Sequence, residues 1–167
     1  MSLALAGATV AALPGQVPQA RADSDTGSTV ANVQVGLSIT LSDLTAAFTL
    51  AGNPGQTVAS GTGLPVTMRV TTNNFAGYSV TVQPQAANLV GAIAGNTDVV
   101  PVTLLQVRGP AQVAFTALSS ATPLEVARKT AASDPAGDLI SNDFQITVPF
   151  VRPDTYSGTL NYVATTL

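Results

Sequence analysis

From Asn32 to Leu41 the chain alternates without a break. Val33, Val35, Leu37, Ile39 and Leu41 are apolar, and Asn32, Gln34, Gly36, Ser38 and Thr40 stand between them. A period of two places the two sets on opposite faces of a strand, so this stretch predicts a strand with one buried and one wet face. The pattern recurs at Val66, Met68 and Val70, at Tyr78, Val80 and Val82, and at Phe144, Ile146, Val148 and Phe150. Composition agrees: 22 Thr and 20 Val suit a pleated surface, while 14 Gly and 11 Pro supply turns. No fixed-period repeat is visible, which disfavours propellers and solenoids. The expected fold is all-β: a single antiparallel β-sandwich of immunoglobulin-like, Greek-key type with about eight or nine strands.

Turn chemistry divides the chain. Gly52-Asn53-Pro54-Gly55 and Arg152-Pro153-Asp154-Thr155 are turns by composition. Leu44, Ala46, Phe48 and Leu50 continue the first alternation after a short break at Ser42-Asp43. Residues 65–72 and 78–83, joined across Asn73-Asn74-Phe75-Ala76-Gly77, predict a hairpin. Residues 84–98 are weakly patterned and predict a long connection. Pro101, in the apolar run 99–107, lacks a backbone donor and suits a sheet edge. Short strands are expected around 112–118 and 124–130, the second with no clear buried face, and residues 156–164 alternate as a final strand.

The apolar run of residues 3–13 is shorter than the roughly 20 residues a membrane span needs. Pro14, Gly15 and Pro18 follow it, then Ala20-Arg21-Ala22, in the order of a secretory signal with an A-x-A cleavage site. No Lys or Arg precedes Leu3, so two readings stay open: a signal peptide over 1–22 whose true start lies upstream, or an arm that is not a signal. With a signal, residues 23–29 form a flexible leader and 30–167 a β-sandwich domain. The mature chain of 145 residues then carries five cations against nine acids, enough length to bury one core without disulfides. No membrane span is expected after cleavage, and the expected location is secreted or extracellular, with wall association possible in principle.

Histidine, cysteine and tryptophan are absent. That removes Cys/His metal sites, disulfides, cysteine nucleophiles and histidine general bases. A net charge of -3 argues against a nucleic-acid partner. Asp134, Asp138 and Asp143 lie close together beside Asn142 in Ser-Asp-Pro-Ala-Gly-Asp-Leu-Ile-Ser-Asn-Asp. An oxygen-rich loop of this kind can hold calcium, which takes six to eight oxygen ligands, although a solvated turn needs the same residues. No two acids are marked out as a glycosidase pair. Lys129, the only lysine, could serve a Ser–Lys dyad if desolvated, or form an isopeptide bond with an asparagine; a solvated strand face is the plainer account. No catalytic residue and no cofactor other than calcium is expected, and the chain is read as a non-enzyme.

Tyr156 opens a late strand after a turn, where a tyrosine can return its hydroxyl to the backbone as a tyrosine corner. The ending Asp154-Thr155-Tyr156-Ser157-Gly158-Thr159, running on to a Thr-rich strand, resembles the C-terminal strand of bacterial secreted cell-surface sandwich domains, WxL-like or pilin-like. The resemblance covers about the last 25 residues and the general alternation. It implies a structural or adhesive role at a bacterial surface. The tryptophan motif that names the WxL domains is missing, so no family residue carries over.

Only 9% of residues are charged, well below the quarter or more usual for a soluble surface. Strand edges are correspondingly short of charged gatekeepers. Two partner classes follow: a cell-wall or matrix component met by a neutral surface, or other copies of the chain joined through edge strands. Residues 30–41 are the candidate donor for strand exchange, their plainer role being the first strand of their own sandwich. A calcium-binding or carbohydrate-associated surface domain is a further alternative.

Overall fold

The computed structural model describes residues 24–61 and 66–167; the signal-peptide reading of 1–22 and the start of the expected hairpin at Pro65 lie outside them. The chain forms two units, residues 1–34 and 35–167. In the first, residues 24–34 are exposed and carry no regular structure. The second holds twelve strands among the described residues. They are β1 (Ile39–Ser42), β2 (Thr57–Ala59), β3 (Val66–Thr72), β4 (Tyr78–Pro84), β5 (Asn88–Gly91) and β6 (Val99–Pro101), then β7 (Leu105–Arg108), β8 (Thr116–Ala117), β9 (Leu124–Lys129), β10 (Asp138–Thr147), β11 (Tyr156–Ser157) and β12 (Leu160–Thr166). A 3-10 turn, Val102–Leu104, joins β6 to β7. All strand pairs are antiparallel. One sheet runs β1-β3-β10-β7-β8 with β2 also on β10, a second runs β12-β4-β9, and a third runs β11-β5-β6.

The all-β, antiparallel expectation holds. The count differs, with twelve strands in three sheets instead of eight or nine in one sandwich. Runs that alternate in sequence are interrupted in space for local reasons. Asp43 takes a left-handed φ of 53°, rare for a residue with a side chain, and ends β1. The expected strand at 33–41 is shortened at its other end to Ile39–Ser42, because its ladder partner β3 ends at Thr72, opposite Ile39. Residues 44–50 form no strand, although Phe48 still turns inward and stacks on Phe144 with ring centroids 4.5 Å apart. The last run splits at Gly158, where an added Cβ would meet Leu89 Cδ2 at 2.7 Å. Residues 84–98, expected to be a connection, contain β5. Pro101 lies on β6, the terminal strand of its sheet, as the missing donor requires.

The predicted hairpin does not form. β3 pairs with β1 and β10, whereas β4 pairs with β12 and β9, so the turn at 73–77 carries the chain from one sheet to another. Both strands alternate buried and half-buried over seven residues. Val66, Met68 and Val70 of one and Tyr78, Val80 and Val82 of the other share a single core with Val107, Val126, Ile140 and Phe144. A bulge resolves the ambiguous face of β9: Val80 pairs with Ala127 and Thr81 with Glu125, leaving Val126 as the extra residue. Val126 and Ala127 are therefore both buried although adjacent. The free edge of β9 is covered by a loop, with Ala111 N donating to Val126 O at 3.0 Å and Gln112 Nε2 donating to Glu125 O.

Two glycines with positive φ differ in the space around them. Gly77 (φ 103°) has no room for a Cβ, which would overlap Lys129 O and meet Ala131 N at 2.8 Å; Gly55 (φ 85°) opens on empty space. Gly55→Ala is expected to cost about 1 kcal/mol, the conformational term alone, and Gly77→Ala about 3 kcal/mol or more because backbone must also move. Urea unfolding of the two variants checks the difference, and equal losses would contradict it.

Candidate functional site

The acids singled out in the sequence lie on and before β10, and strand geometry decides what they can do together. β10 begins at Asp138, not after Asp143. Its even-numbered residues Ile140, Asn142 and Phe144 are buried, so Asp138 points to the same inner side and Asp143 to the outer one. Five residues of strand also separate them by about 16 Å. Asp143 pairs with Arg108 of β7 at 2.9 Å, directly across the ladder, and Arg108 also lies over the Phe115 ring at 4.7 Å. Asp134 is exposed in the preceding loop and contacts Asp138 through its backbone, Asp134 N donating to Asp138 Oδ1 at 3.2 Å. The calcium constellation is thus not assembled. Among the described residues, no group of three or more acidic, His or Cys side chains could hold a metal ion.

Asp138 sits instead at the centre of a polar knot. Tyr78 and Lys129 are cross-strand partners on β4 and β9, and both reach to Asp138 on the other sheet. Lys129 Nζ lies 3.0 and 2.9 Å from the two carboxylate oxygens, and Tyr78 Oη donates to Oδ2 at 2.8 Å. Burial pushes the Asp138 carboxyl up, but donation from Lys129, Tyr78 and the Asp134 N–H outweighs it and holds the group below its ordinary range. The Tyr78 phenol is pushed well up, by burial first and then by the carboxylate it donates to. The hydrogen-bond partners of Lys129 Nζ are both oxygens of Asp138, so the structure gives neither a Ser–Lys dyad nor a Lys–Asn crosslink a starting geometry.

Asp154, read only as part of a turn, organises a second knot. Its carboxylate accepts from Asn96 Nδ2 at 2.7 Å and from the backbone N–H groups of Ala92, Ile93 and Thr155. The Asn96 amide is the largest of the influences that lower its carboxyl below the usual range. Beside it, Tyr156 Oη donates to Arg152 O at 2.9 Å, which is the tyrosine corner anticipated from its position. Asn142 was noted only as a neighbour of the acids. Its side chain is fully buried, and its Nδ2 donates to Tyr162 Oη at 3.3 Å. Burial carries the Tyr162 phenol up to about 12.

The hydroxyls near these acids are also engaged. A shallow, mostly apolar cleft of about 350 Å³ lies between the β3–β4 turn and residues 132–135. There Ser133 Oγ accepts from Thr72 N at 2.8 Å and has the carbonyls of Thr72 and Asp134 within reach of its one proton, with no general base among its partners. What the assembled residues supply is attachment of loop to strand and sheet to sheet. No family model matches the chain, and no curated protein matches it.

Because its folded-state carboxyl lies below the ordinary value, Asp138 stabilises the fold above about pH 4, and that contribution is lost as pH falls through the lowered value. Asp138→Asn is expected to lower the melting temperature by about 3–10 °C at neutral pH. Thermal melts at neutral pH and near pH 2 check this: the gap between variant and parent closes at acid pH, and a gap that persists there contradicts the assignment.

Proposed function

We propose that the chain is a secreted, non-enzymatic structural or adhesion module of a bacterial cell surface or extracellular matrix, folded as one antiparallel β-sandwich. Continuity between the two smaller sheets supports the sandwich. β4 runs on to β5, β11 runs on to β12, and the pairs β12–β4 and β11–β5 link the same two chain segments. The ladders β12-β4-β9 and β11-β5-β6 then act as one interrupted layer facing the six-stranded sheet across the common core.

The distribution of charge carries the functional reading. All five cations among the described residues have a carboxylate partner: Arg69 with Asp43, Arg108 with Asp143, Arg128 with Glu125, Lys129 with Asp138 and Arg152 with Asp98. Pairs as exposed as most of these add little stability, but they cancel charge locally. The outer rows that join β12 to β4 hold no charged side chain, and where β9 continues two of them Glu125 and Arg128 neutralise each other. On β12 and β4 the cross-strand rows are Asn161 with Gln83, Val163 with Thr81 and Thr165 with Ser79. Such a face meets a polymer or a neighbouring protein by hydrogen bonding and shape, not by charge, which suits a module held in a wall or matrix.

The test is co-sedimentation of the full chain with isolated bacterial wall and matrix preparations, together with fractionation of producing cells. Retention at low salt that persists at roughly molar salt, where the screening length is only about 3 Å, supports uncharged recognition. Recovery from the cytosolic fraction with no retention on either preparation overturns the proposal.

A further inference from the structure

The segment with the strongest strand pattern in the sequence is largely unpaired in the structure. Val30, Val33, Val35 and Leu37 are 82, 88, 78 and 68% exposed, and regular pairing starts only at Ile39. Residues 29–41 contain no charged side chain. An alternating apolar strip left in water costs free energy that pairing on a sheet would recover.

Its ladder on β3 begins only at Ile39, which pairs with Thr72, the last residue of that strand, and residues 35–38 form no strand. Asn73 fixes the direction of exit: its Oδ1 accepts from Ser38 N at 2.8 Å and its Nδ2 donates to Gly36 O at 2.8 Å. This side-chain clamp imitates one further step of the ladder and keeps Gly36–Ser38 in line with β1.

A matching vacancy exists at β12. It is the terminal strand of its sheet, paired over seven residues with β4 alone; β1 approaches it without forming a ladder. From Thr155 to the end, the chain has no Lys, Arg, Asp, Glu or Pro to discourage strand addition. Its inward residues Leu160, Tyr162 and Ala164 are only half-buried, unlike those of β4. Residues 30–37 extended span about 26 Å, and seven residues of β12 about 23 Å. Val33, Val35 and Leu37 supply three apolar side chains at strand spacing, the number presented by Leu160, Tyr162 and Ala164.

We propose that residues 30–37 of one copy add as a strand to the free edge of β12 in a second copy. The inference rests on the surface-module reading above and gives it a self-partner. Each copy then carries one donor and one acceptor, a head-to-tail arrangement that builds chains or rings instead of a closed two-fold dimer.

Two variants separate the halves of the contact without disturbing the core, since both alter exposed side chains: Val33→Asp with Val35→Asp in the arm, and Val163→Lys on β12, where Val163 is 54% exposed. Light scattering coupled to size exclusion on the full chain, over about two decades of concentration from the micromolar range, is expected to show growing oligomers. Each variant alone is expected to weaken association about tenfold or more. Mixing them is the decisive measurement. The arm variant keeps an intact edge and the edge variant an intact arm, so the mixture forms a one-to-one heterodimer that neither forms alone. A parent that stays monomeric throughout, association that neither variant affects, or a mixture that stays monomeric overturns the proposal. Retention on wall or matrix by the arm variant is measured in parallel. Retention without self-association removes strand donation while leaving the surface module standing, and self-association without retention does the reverse.

Discussion

Gly77 is where the architecture is decided. A side chain there would collide with Lys129 O, and its φ of 103° belongs to glycine, so the 73–77 turn can close tightly against the end of β9. The turn does not fold β4 back beside β3. It sends β4 into another sheet, where Tyr78 lands opposite Lys129. The two most regular seven-residue strands are thereby set to share one core instead of one ladder. Thr72 and Asn74 secure the same corner: Thr72 Oγ1 donates to Ser38 O at 2.7 Å, and Asn74 Nδ2 donates to Gly77 O and to Leu167 O. First strand, sheet crossing and last strand are fastened at one place.

The Asp138 knot completes what this crossing begins. Two of its members, Tyr78 and Lys129, belong to one sheet and the third opens the long strand of the other. A carboxylate half-shielded from water is costly unless donors surround it, and here an ammonium, a phenol and a backbone N–H do so. Geometry of this kind is specific, because every donor must come from a different element. The same three residue types in an open cleft would invite a catalytic reading. Mutual saturation makes them a clasp, and the tyrosine corner with the Asp154 knot does the same at the other end of the chain's last turn.

What was legible in the sequence was the period, and with it the strand class, the inward residues of β3 and β4, Phe144 and Ile146 of β10, the edge position of Pro101 and the corner at Tyr156; Phe150, in phase with the last two, is 95% exposed. What was not legible was partnership. Alternation on both sides of a tight turn fits a hairpin and a sheet crossing equally, and only the bulk permitted at Gly77 and the partners of each strand distinguish them. The placement of the acids was hidden for a related reason. Leu139 interrupts the expected inner face with an exposed leucine, so residues 138–143 looked like loop, and three acids in a loop can converge on an ion. Once Asp138 is a strand residue, the odd spacing to Asp143 puts the two on opposite faces. The break in the alternation at Ser42-Asp43 does mark the end of β1, where Asp43 takes its positive φ.

The low charge of this chain and its unfinished edge bear on one another. Soluble β proteins defend edges with lysines, prolines or bulges. Here the bulge protects β9, a loop covers its free side, and Pro101 ends β6, while β12 has none of these devices. Because the cations among the described residues are tied to carboxylates, no spare charge stands guard there. A seven-residue edge without such devices is an open template, and the alternating, uncharged stretch of residues 30–37 has the complementary chemistry. In the proposed pairing the period of two excludes a slip of one residue, which would turn Val33, Val35 and Leu37 away from Leu160, Tyr162 and Ala164.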